Sequence, residues 1–283
     1  MEVRLTGDGF EVVASTLGAE LQSVKFRGKE RLWQNGDGSW QGRSPVLFPV
    51  CGACEMRVDG TVYPCPRHGF AKDLEFSLAE RTEHLVRFRL TGTEELKKLY
   101  PYDFVFEVAY QIEGGVLSVG YAVYNTGEKD LYFSCGGHDS FALDCDLQNY
   151  ELQFEREEEF ESFLVNGQNG KLTGKTQSLG RGTVLNLSTP LLEKSNSVCL
   201  KPLSRAVRLR EKETGKTVAE LFFPQSDKLV LWRPDGAKML CIEPWQTLPD
   251  FETEPCKEFS EKDGVIRVPP HGKREVVRKL KYE

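Results

Sequence analysis

The sequence predicts an all-β protein, a large antiparallel β-sandwich with one or a few short helices. Short segments in which apolar and polar residues alternate, rich in β-branched and aromatic side chains, recur along the chain. Turn sequences that contain glycine separate these segments at short intervals. Strands do not alternate with long helices, as they would in a parallel α/β sheet. A sandwich of many short strands fits these three features.

The strand and hairpin signals are clearest in residues 85–124. Residues 85–90 alternate in part, and residues 104–110 (FVFEVAY) are rich in β-branched and aromatic side chains. Residues 113–115 (EGG) interrupt this run before residues 116–124 resume the alternation, which predicts a hairpin. Further hairpins are predicted around Asp59-Gly60, Glu213-Thr214-Gly215 and Pro234-Asp235-Gly236.

One segment carries a helix signal. Residues 91–94 (TGTE) offer a capping-box arrangement, residues 94–99 (EELKKL) follow as helix formers, and Pro101 ends the segment. No low-complexity linker or sustained repeat marks a domain boundary elsewhere. We therefore expect residues 1–283 to form a single domain.

Composition argues against several classes of function. The 283 residues are 39% hydrophobic and 28% charged, which suits a globular protein with a core. The net charge is −6 and no long cluster of Lys or Arg occurs, so we expect no binding to nucleic acid or anionic membranes. The first residues lack a signal-peptide core, which predicts a cytoplasmic protein whose eight cysteines are reduced. No sequence pattern indicates an oligomeric state.

Three short-spaced pairs of cysteine and histidine suggest a metal site as one alternative. They are C-x-x-C at 51–54 and C-x-x-H at 65–68 and 135–138. Such spacing can place two ligands on one zinc ion, but the uneven distances between the pairs and the ample apolar content favour a metal-free protein. Cys51 and Cys54 suggest a dithiol redox centre less strongly, because no helix is predicted after them to stabilise a thiolate.

Acid–base chemistry is the third interpretation. Proton transfer near neutral pH uses histidine first and a buried carboxylate next. Among the four histidines, His138 follows a glycine pair in CGGHDSF and His68 lies in PRHGF, whereas His84 and His271 have surface or turn contexts. Glu243 ends the apolar segment MLCIEPW, where burial would raise its pKa; a structural pairing with an arginine is the alternative.

Four short segments, and the order in which they occur along the chain, provide further evidence about the function. They are GRSPVLFP at 42–49, RHGFAKD at 67–73, GGHDSF at 136–141 and CIEPW at 241–245. Together they resemble the aldose 1-epimerase (galactose mutarotase-like) family, and its bacterial LacX-type branch in particular. The resemblance implies a β-supersandwich with a sugar-binding cleft. It also implies an isomerase that interconverts the anomers of a hexose without a metal or an organic cofactor.

The resemblance also implies roles for individual residues. Glu243 resembles the general base and His138 the general acid that open and close the sugar ring. His68 resembles a second active-site histidine, and Arg43 the arginine that helps to hold the sugar. Lys72 stands where the family segment carries an arginine, so we expect it to contact the substrate with a different geometry.

Three local features refine these expectations. The glycines at 136–137 are expected to let a sugar ring approach His138. Asp139 departs from the family pattern, and its negative charge would raise the pKa of His138. Ser195 and Asn196 stand where relatives often carry a substrate-binding aspartate, so that contact is expected to be weakened or remodelled.

Two other functions stay open. One is a carbohydrate-binding or regulatory β-sandwich protein without turnover, because a fold does not determine an activity. The other is a hexose-6-phosphate mutarotase, which needs a cluster of cations near the cleft. Arg43, Arg67 and Lys72 are the candidates for that cluster.

Overall fold

The computed structural model describes residues 1–188, 190–193 and 196–283, and β-strands account for most of its regular structure. The strands are β1 (Glu2–Gly7), β2 (Phe10–Ser15), β3 (Leu21–Phe26), β4 (Lys29–Glu30), β5 (Met56–Val58), β6 (Thr61–Tyr63), β7 (Ser77–Arg81), β8 (Leu85–Thr91), β9 (Phe104–Glu113), β10 (Val116–Asn125), β11 (Leu131–Phe133), β12 (Asp139–Ala142), β13 (Tyr150–Val165), β14 (Leu172–Asn186), β15 (Ser197–Leu200), β16 (Ala206–Glu211), β17 (Thr217–Phe222), β18 (Lys228–Trp232), β19 (Met239–Trp245), β20 (Ile266–Val268) and β21 (Lys273–Tyr282).

A large antiparallel sheet dominates the architecture. Its strand order is β12-β19-β18-β15-β13-β16-β17-β21-β10-β9-β8-β7, and β14 pairs with β13 outside this order. Strands β1 to β4 form a second sheet in sequence order, and β5–β6 and β11–β20 form two small pairs. Apolar side chains of both large sheets, such as Val12 and Phe106, share one core that extends from Val3 to Tyr282. The predicted all-β sandwich is confirmed, and this continuous core is consistent with the prediction of a single domain.

Alternation along the strands decides which side chains enter the core. In β8, Val86 and Phe88 are buried, while Arg87 and Arg89 point to the other face. There both arginines contact Glu107 of β9, with Nη2 of Arg89 2.6 Å from Oε1. The period-two pattern of β8 therefore determines which of its two faces enters the core.

The predicted hairpins are present, and their turns have the expected chemistry. Gly114 and Gly115 join β9 to β10 with φ angles of 60° and 74°, and Asp59 and Gly60 join β5 to β6 with 49° and 78°. Two successive positive φ angles are typical of two-residue hairpin turns, which glycine adopts without strain. The turns at 213–215 and 234–236 likewise connect β16 to β17 and β18 to β19.

The predicted helix at residues 94–99 is reduced to one 3₁₀ turn, Leu96–Lys98. Thr91, the cap residue of the predicted box, ends β8, and Oγ1 of Thr93 accepts a hydrogen bond from the backbone N–H of Leu96 (3.2 Å) instead. A segment of six residues that Pro101 ends is too short to extend a helix after its costly nucleation. The other 3₁₀ turns are Ala71–Asp73, Leu147–Asn149, Pro190–Leu192 and Phe259–Glu261. Among the described residues, no helix has the length and apolar character needed to cross a membrane.

Candidate active site

Strand β19 carries Glu243 into the interior of the large sheet. It pairs with β12 on one side and with β18 on the other, and each of its residues is buried. Alternation places Cys241, Glu243 and Trp245 on the same face of the strand. Glu243 is 1% exposed, and its Oε2 has no hydrogen-bond partner among the described residues. Burial raises the pKa of this carboxyl well above its usual value, and the charge of Arg67 opposes that rise only in part.

His138 meets Glu243 because of the register between β12 and β19. Asp139 lies opposite Ile242, which brings the preceding residue beside Glu243. The distance from Nε2 of His138 to Oε2 of Glu243 is 3.3 Å. Trp40 stacks on the imidazole ring with 5.1 Å between ring centroids, and burial lowers the pKa of His138 to about 4. The two groups predicted as base and acid are thus direct neighbours.

The glycine pair before His138 has a packing role. A Cβ atom at Gly136 would lie 2.5 Å from the ring of Trp245, and one at Gly137 would lie 2.6 Å from Nε of Arg278. Both distances are shorter than any real Cβ contact. These glycines therefore make room for two protein side chains, which differs from the expected role of admitting a sugar ring.

Asp139 faces away from the imidazole and is neutralised by a buried arginine. Nε and Nη2 of Arg278 donate to its two carboxylate oxygens at 2.6 and 2.8 Å, and the hydroxyl of Ser44 donates at 2.6 Å. Asp139 does favour the charged form of His138, but burial has the larger effect and lowers the pKa of the ring. The predicted effect of Asp139 is therefore present, but burial decides the net direction of the shift.

His68 is held in a strained turn that orients its ring. It adopts a φ of 65°, and the backbone N–H of Gly52 donates to its Nδ1 at 3.1 Å. Nε of Arg67 donates to Nε2 at 3.2 Å, so both ring nitrogens face N–H donors. Burial first, and the nearby His138 and Arg67 second, lower the pKa of His68 well below its usual value. His68 is therefore neutral.

Gly69 completes the turn that positions His68. A Cβ atom at Gly69 would lie 1.9 Å from the carbonyl oxygen of Phe48, so no other residue fits this position without moving the backbone. The RHGF motif thus has a local physical reason: the glycine lets the chain pass close to Phe48 and leaves His68 with its ring 5.6 Å from that of His138.

A cavity of about 480 Å³ lies over the Glu243–His138 pair. Sites for small molecules typically have volumes of roughly 300–1,000 Å³ and a largely apolar lining with few polar groups. The walls consist of three aromatic side chains, two cations, His68 and the loop between β13 and β14: Trp40, Trp232, Trp245, Arg67, Lys72 and residues from 165–170. Such a mixture suits a ring with apolar C–H faces and hydroxyl groups at its edge.

The structure brings together four of the five residues predicted for the site: Glu243, His138, His68 and Lys72. Arg43 is not among the described residues that line the cavity; its backbone N–H donates to Glu20 and its Nη1 donates to Gln22 at 3.3 Å. The arginine that lines the cavity is Arg67, which the sequence analysis considered only as part of a phosphate site.

The sequence analysis missed the tryptophans. Three of the four in the chain line the cavity, and the fourth, Trp33, donates its indole N–H to the carbonyl oxygen of Trp40 at 3.1 Å. Two features of the sequence could have indicated that the tryptophans belong to the site: the chain contains few of them, and they lie near the family segments. Ser195 and Asn196 stand where relatives often carry a substrate-binding aspartate. Asn196 lines the cavity, and Ser195 lies outside the described residues.

The cysteine pairs of the sequence do not converge on one point. All eight cysteines are free thiols. Cys51 accepts a hydrogen bond from Ser134, and Cys54 accepts one from Lys262 at 3.2 Å. Burial raises the pKa of both thiols to about 12, the opposite of what a reactive dithiol needs. Neither a zinc site made of these pairs nor a redox centre at Cys51 and Cys54 is supported.

Comparisons with known proteins identify the family and the fold of the chain. The family model described as aldose 1-epimerase matches residues 1–261. The chromosomal protein LacX of Lactococcus lactis is 30% identical over 292 residues, with 95% of each chain covered. A putative glucose-6-phosphate 1-epimerase of Escherichia coli is 30% identical over 106 residues, 34% of each chain. The crystal structure of a galactose mutarotase-like protein from Lactobacillus casei superposes over 100% of both chains with a TM-score of 0.89 and 24% identity. The resemblance is confirmed, and the chain belongs to the aldose 1-epimerase family.

Proposed function

We propose that this protein is an aldose 1-epimerase that interconverts the α and β anomers of a hexose, with Glu243 as general base and His138 as general acid. The observation that carries the proposal is the buried pair itself. Its facing atoms are 3.3 Å apart beneath a cavity of monosaccharide size, and Oε2 of Glu243 lacks a hydrogen-bond donor among the described residues. A buried polar atom without a partner is costly, so a ligand is expected to supply the partner.

Ring opening removes a proton from the C1 hydroxyl and delivers a proton to the ring oxygen. Burial makes the Glu243 carboxylate a stronger base than an exposed one, and it makes the His138 imidazolium a stronger acid. After rotation about the C1–C2 bond, the protonated Glu243 returns its proton to the aldehyde oxygen while His138 takes one back. Every proton that Glu243 or His138 gains or loses during ring opening is returned during ring closure. The two side chains, called the dyad, therefore regain their starting protonation states.

The other cavity residues would hold the sugar and the charge that develops on its oxygens. Nε of Arg67 donates to Nε2 of His68 at 3.2 Å. The guanidinium carries further N–H donors, from which a sugar oxygen can accept hydrogen bonds. The flat faces of Trp40 and Trp232 would pack against the C–H face of the ring.

Anomer interconversion is the direct test. Freshly dissolved α-D-glucose and α-D-galactose would be followed by polarimetry or NMR, with heat-inactivated protein as the control. We expect the native protein to accelerate equilibration of at least one sugar. Sugar binding without acceleration would contradict the proposal and favour a carbohydrate-binding protein.

The rate should depend on pH through both members of the dyad, which must share one proton to work. We expect kcat/KM to fall as the pH drops through about 4, the pKa to which burial lowers His138, because the fully protonated pair contains no base. kcat/KM should fall again at high pH, when the dyad loses its remaining proton. This fall should occur above the pH range in which carboxylates usually titrate, because the pKa of Glu243 is raised. Rates corrected for buffer catalysis between pH 3.5 and 9 would test this, and a flat profile would contradict it.

A specific observation also favours a phosphorylated hexose as substrate. Arg67 and Lys72 both line the cavity, and Arg67 is an exposed side chain whose Nη1 lies close to Gly170 of the β13–β14 loop. An arginine at a cavity entrance can bind a phosphate in a bidentate manner. The partial match to a putative glucose-6-phosphate 1-epimerase is consistent with this second candidate.

Arg67→Gln separates the two substrate classes. If the substrate carries a phosphate, we expect KM for glucose 6-phosphate to rise about 10–100-fold, because a charge-assisted bond contributes about 1.5–3 kcal/mol. The KM for glucose should change much less. Arg81→Gln, which alters an exposed arginine on β7 outside the cavity, is the control. An equal loss with both sugars would count against a phosphate role for Arg67.

A further inference from the structure

A third buried side chain lies beside the Glu243–His138 pair, and the proposed mechanism does not use it. Cys241 lies two residues before Glu243 on β19, so alternation puts both side chains on one face. One ligand atom from each of His138, Cys241 and Glu243 lies within 4.8 Å of the other two. Across the described ranges, no other group of three or more His, Cys, Asp or Glu side chains is so arranged.

The cluster, defined as His138, Cys241 and Glu243, contains one pair of ligand atoms at the spacing that a tetrahedral ion requires. Two ligands about 2.0 Å from a tetrahedral zinc ion are roughly 3.3 Å apart. The observed distance between Nε2 of His138 and Oε2 of Glu243 is 3.3 Å. An imidazole nitrogen, a thiolate and a carboxylate are the ligand types that zinc prefers, and three protein ligands leave a fourth position open to the cavity.

The surroundings also favour a cation. Glu243 and Cys241 are 1% and 0% exposed, and Oε2 of Glu243 lacks a hydrogen-bond partner within the described part of the chain. A buried carboxylate oxygen that accepts no hydrogen bond is destabilised, and an ion at this point would supply the missing interaction. None of the three C-x-x-C or C-x-x-H pairs contributes both of its members to this cluster.

We infer that His138, Cys241 and Glu243 form a binding site for a thiophilic divalent cation such as zinc, and that the bound ion excludes the sugar. Binding replaces the S–H bond of Cys241 with a metal–sulfur bond, and it releases that proton and the proton that Glu243 and His138 share to solvent. The ion occupies the lone pairs that the base and the acid need, so it acts as an inhibitor. This inhibitory consequence rests on the proposed function, whereas the binding itself does not.

Co²⁺ is the probe for binding, because its thiolate complexes absorb light in a way that zinc complexes do not. We expect one Co²⁺ per wild-type chain with a sulfur-to-metal absorption band, and displacement of the band by Zn²⁺. Cys241→Ser should remove the band and weaken binding by about 100-fold or more, the upper end of what even indirect metal contacts contribute. Cys241→Ala provides a second variant in case one of them folds poorly.

Cys199→Ser is the matched control. Cys199 is also buried and close enough to Glu243 for the carboxylate to affect its thiol, but it lies outside the cluster. This variant should keep the Co²⁺ band. Equal spectra and affinities for wild type and both Cys241 variants would overturn the inference, as would equal loss of the band in Cys199→Ser.

The binding result and the activity result can be separated. A Co²⁺ band that depends on Cys241 supports the metal site even if no sugar is turned over, in which case only the proposed function fails. If turnover is present, zinc should inhibit it in competition with the sugar. Turnover that zinc does not affect at concentrations that saturate the Co²⁺ site would overturn the claim that the ion excludes the sugar.

Discussion

Glu243→Gln is expected to lower kcat for anomer interconversion by about 10²–10⁴-fold, the usual contribution of one positioned base. The amide keeps the shape of the side chain but cannot accept the proton of the C1 hydroxyl. Because the cavity walls are unchanged, sugar binding should weaken only slightly. Exchange NMR at anomeric equilibrium measures the rate, and titration calorimetry with the same sugar measures the binding.

The matched control for this experiment is Glu158→Gln. Glu158 is a second buried glutamate, 4% exposed, and it accepts hydrogen bonds from the backbone N–H groups of Leu203 and Ser204 outside the cavity. We expect the Glu158→Gln protein to fold and to keep the turnover of the wild type. Wild-type turnover in Glu243→Gln would remove Glu243 from the mechanism, even if the protein is an epimerase.

Asp139→Asn is expected to lower the free energy of unfolding by about 3–5 kcal/mol, because it leaves a buried arginine without its counter-charge. Asp139 and Arg278 are 2% and 4% exposed, and Asp139 also accepts a hydrogen bond from Ser44. Arg278 in addition donates to the hydroxyl of Tyr121. Urea denaturation near neutral pH, with equal slopes for the two proteins, measures the difference.

An exposed ion pair provides the comparison for Asp139→Asn. Glu275 pairs with Lys273 at 3.0 Å, and both side chains are more than 40% exposed. Glu275→Gln should cost at most about 1 kcal/mol, because water and salt screen such pairs. If Asp139→Asn cost no more than this control, the buried pair would not stabilise the fold as its burial implies.

Local chemistry made much of the fold predictable. Alternation in β8 to β10 predicts strands and the face that each residue occupies, and paired glycines at 114–115 predict a turn with positive φ angles. These signals depend on residues a few positions apart. The helix at residues 94–99 was overestimated for the same reason, because a capping pattern does not specify whether the segment has room to extend.

The candidate site was predictable only as a set of motifs. His138 and Glu243 are 105 positions apart, and their contact depends on the register between β12 and β19. The four family segments predicted that they would meet, together with His68 and Lys72. The same segments placed Arg43 in the cavity, where the structure has Arg67 instead.

The sequence by itself determined an all-β fold, its hairpin turns and its family, because strand periodicity, turn glycines and short motifs act over a few neighbouring residues. Only the tertiary structure decided what surrounds each motif. Asp139 pairs with Arg278, which lies 139 positions further along the chain, and burial outweighs the rise that Asp139 causes in the pKa of His138. The physical reason is that the pKa of a group depends on burial and on charges within a few ångströms, and the pairing of distant strands brings those neighbours together.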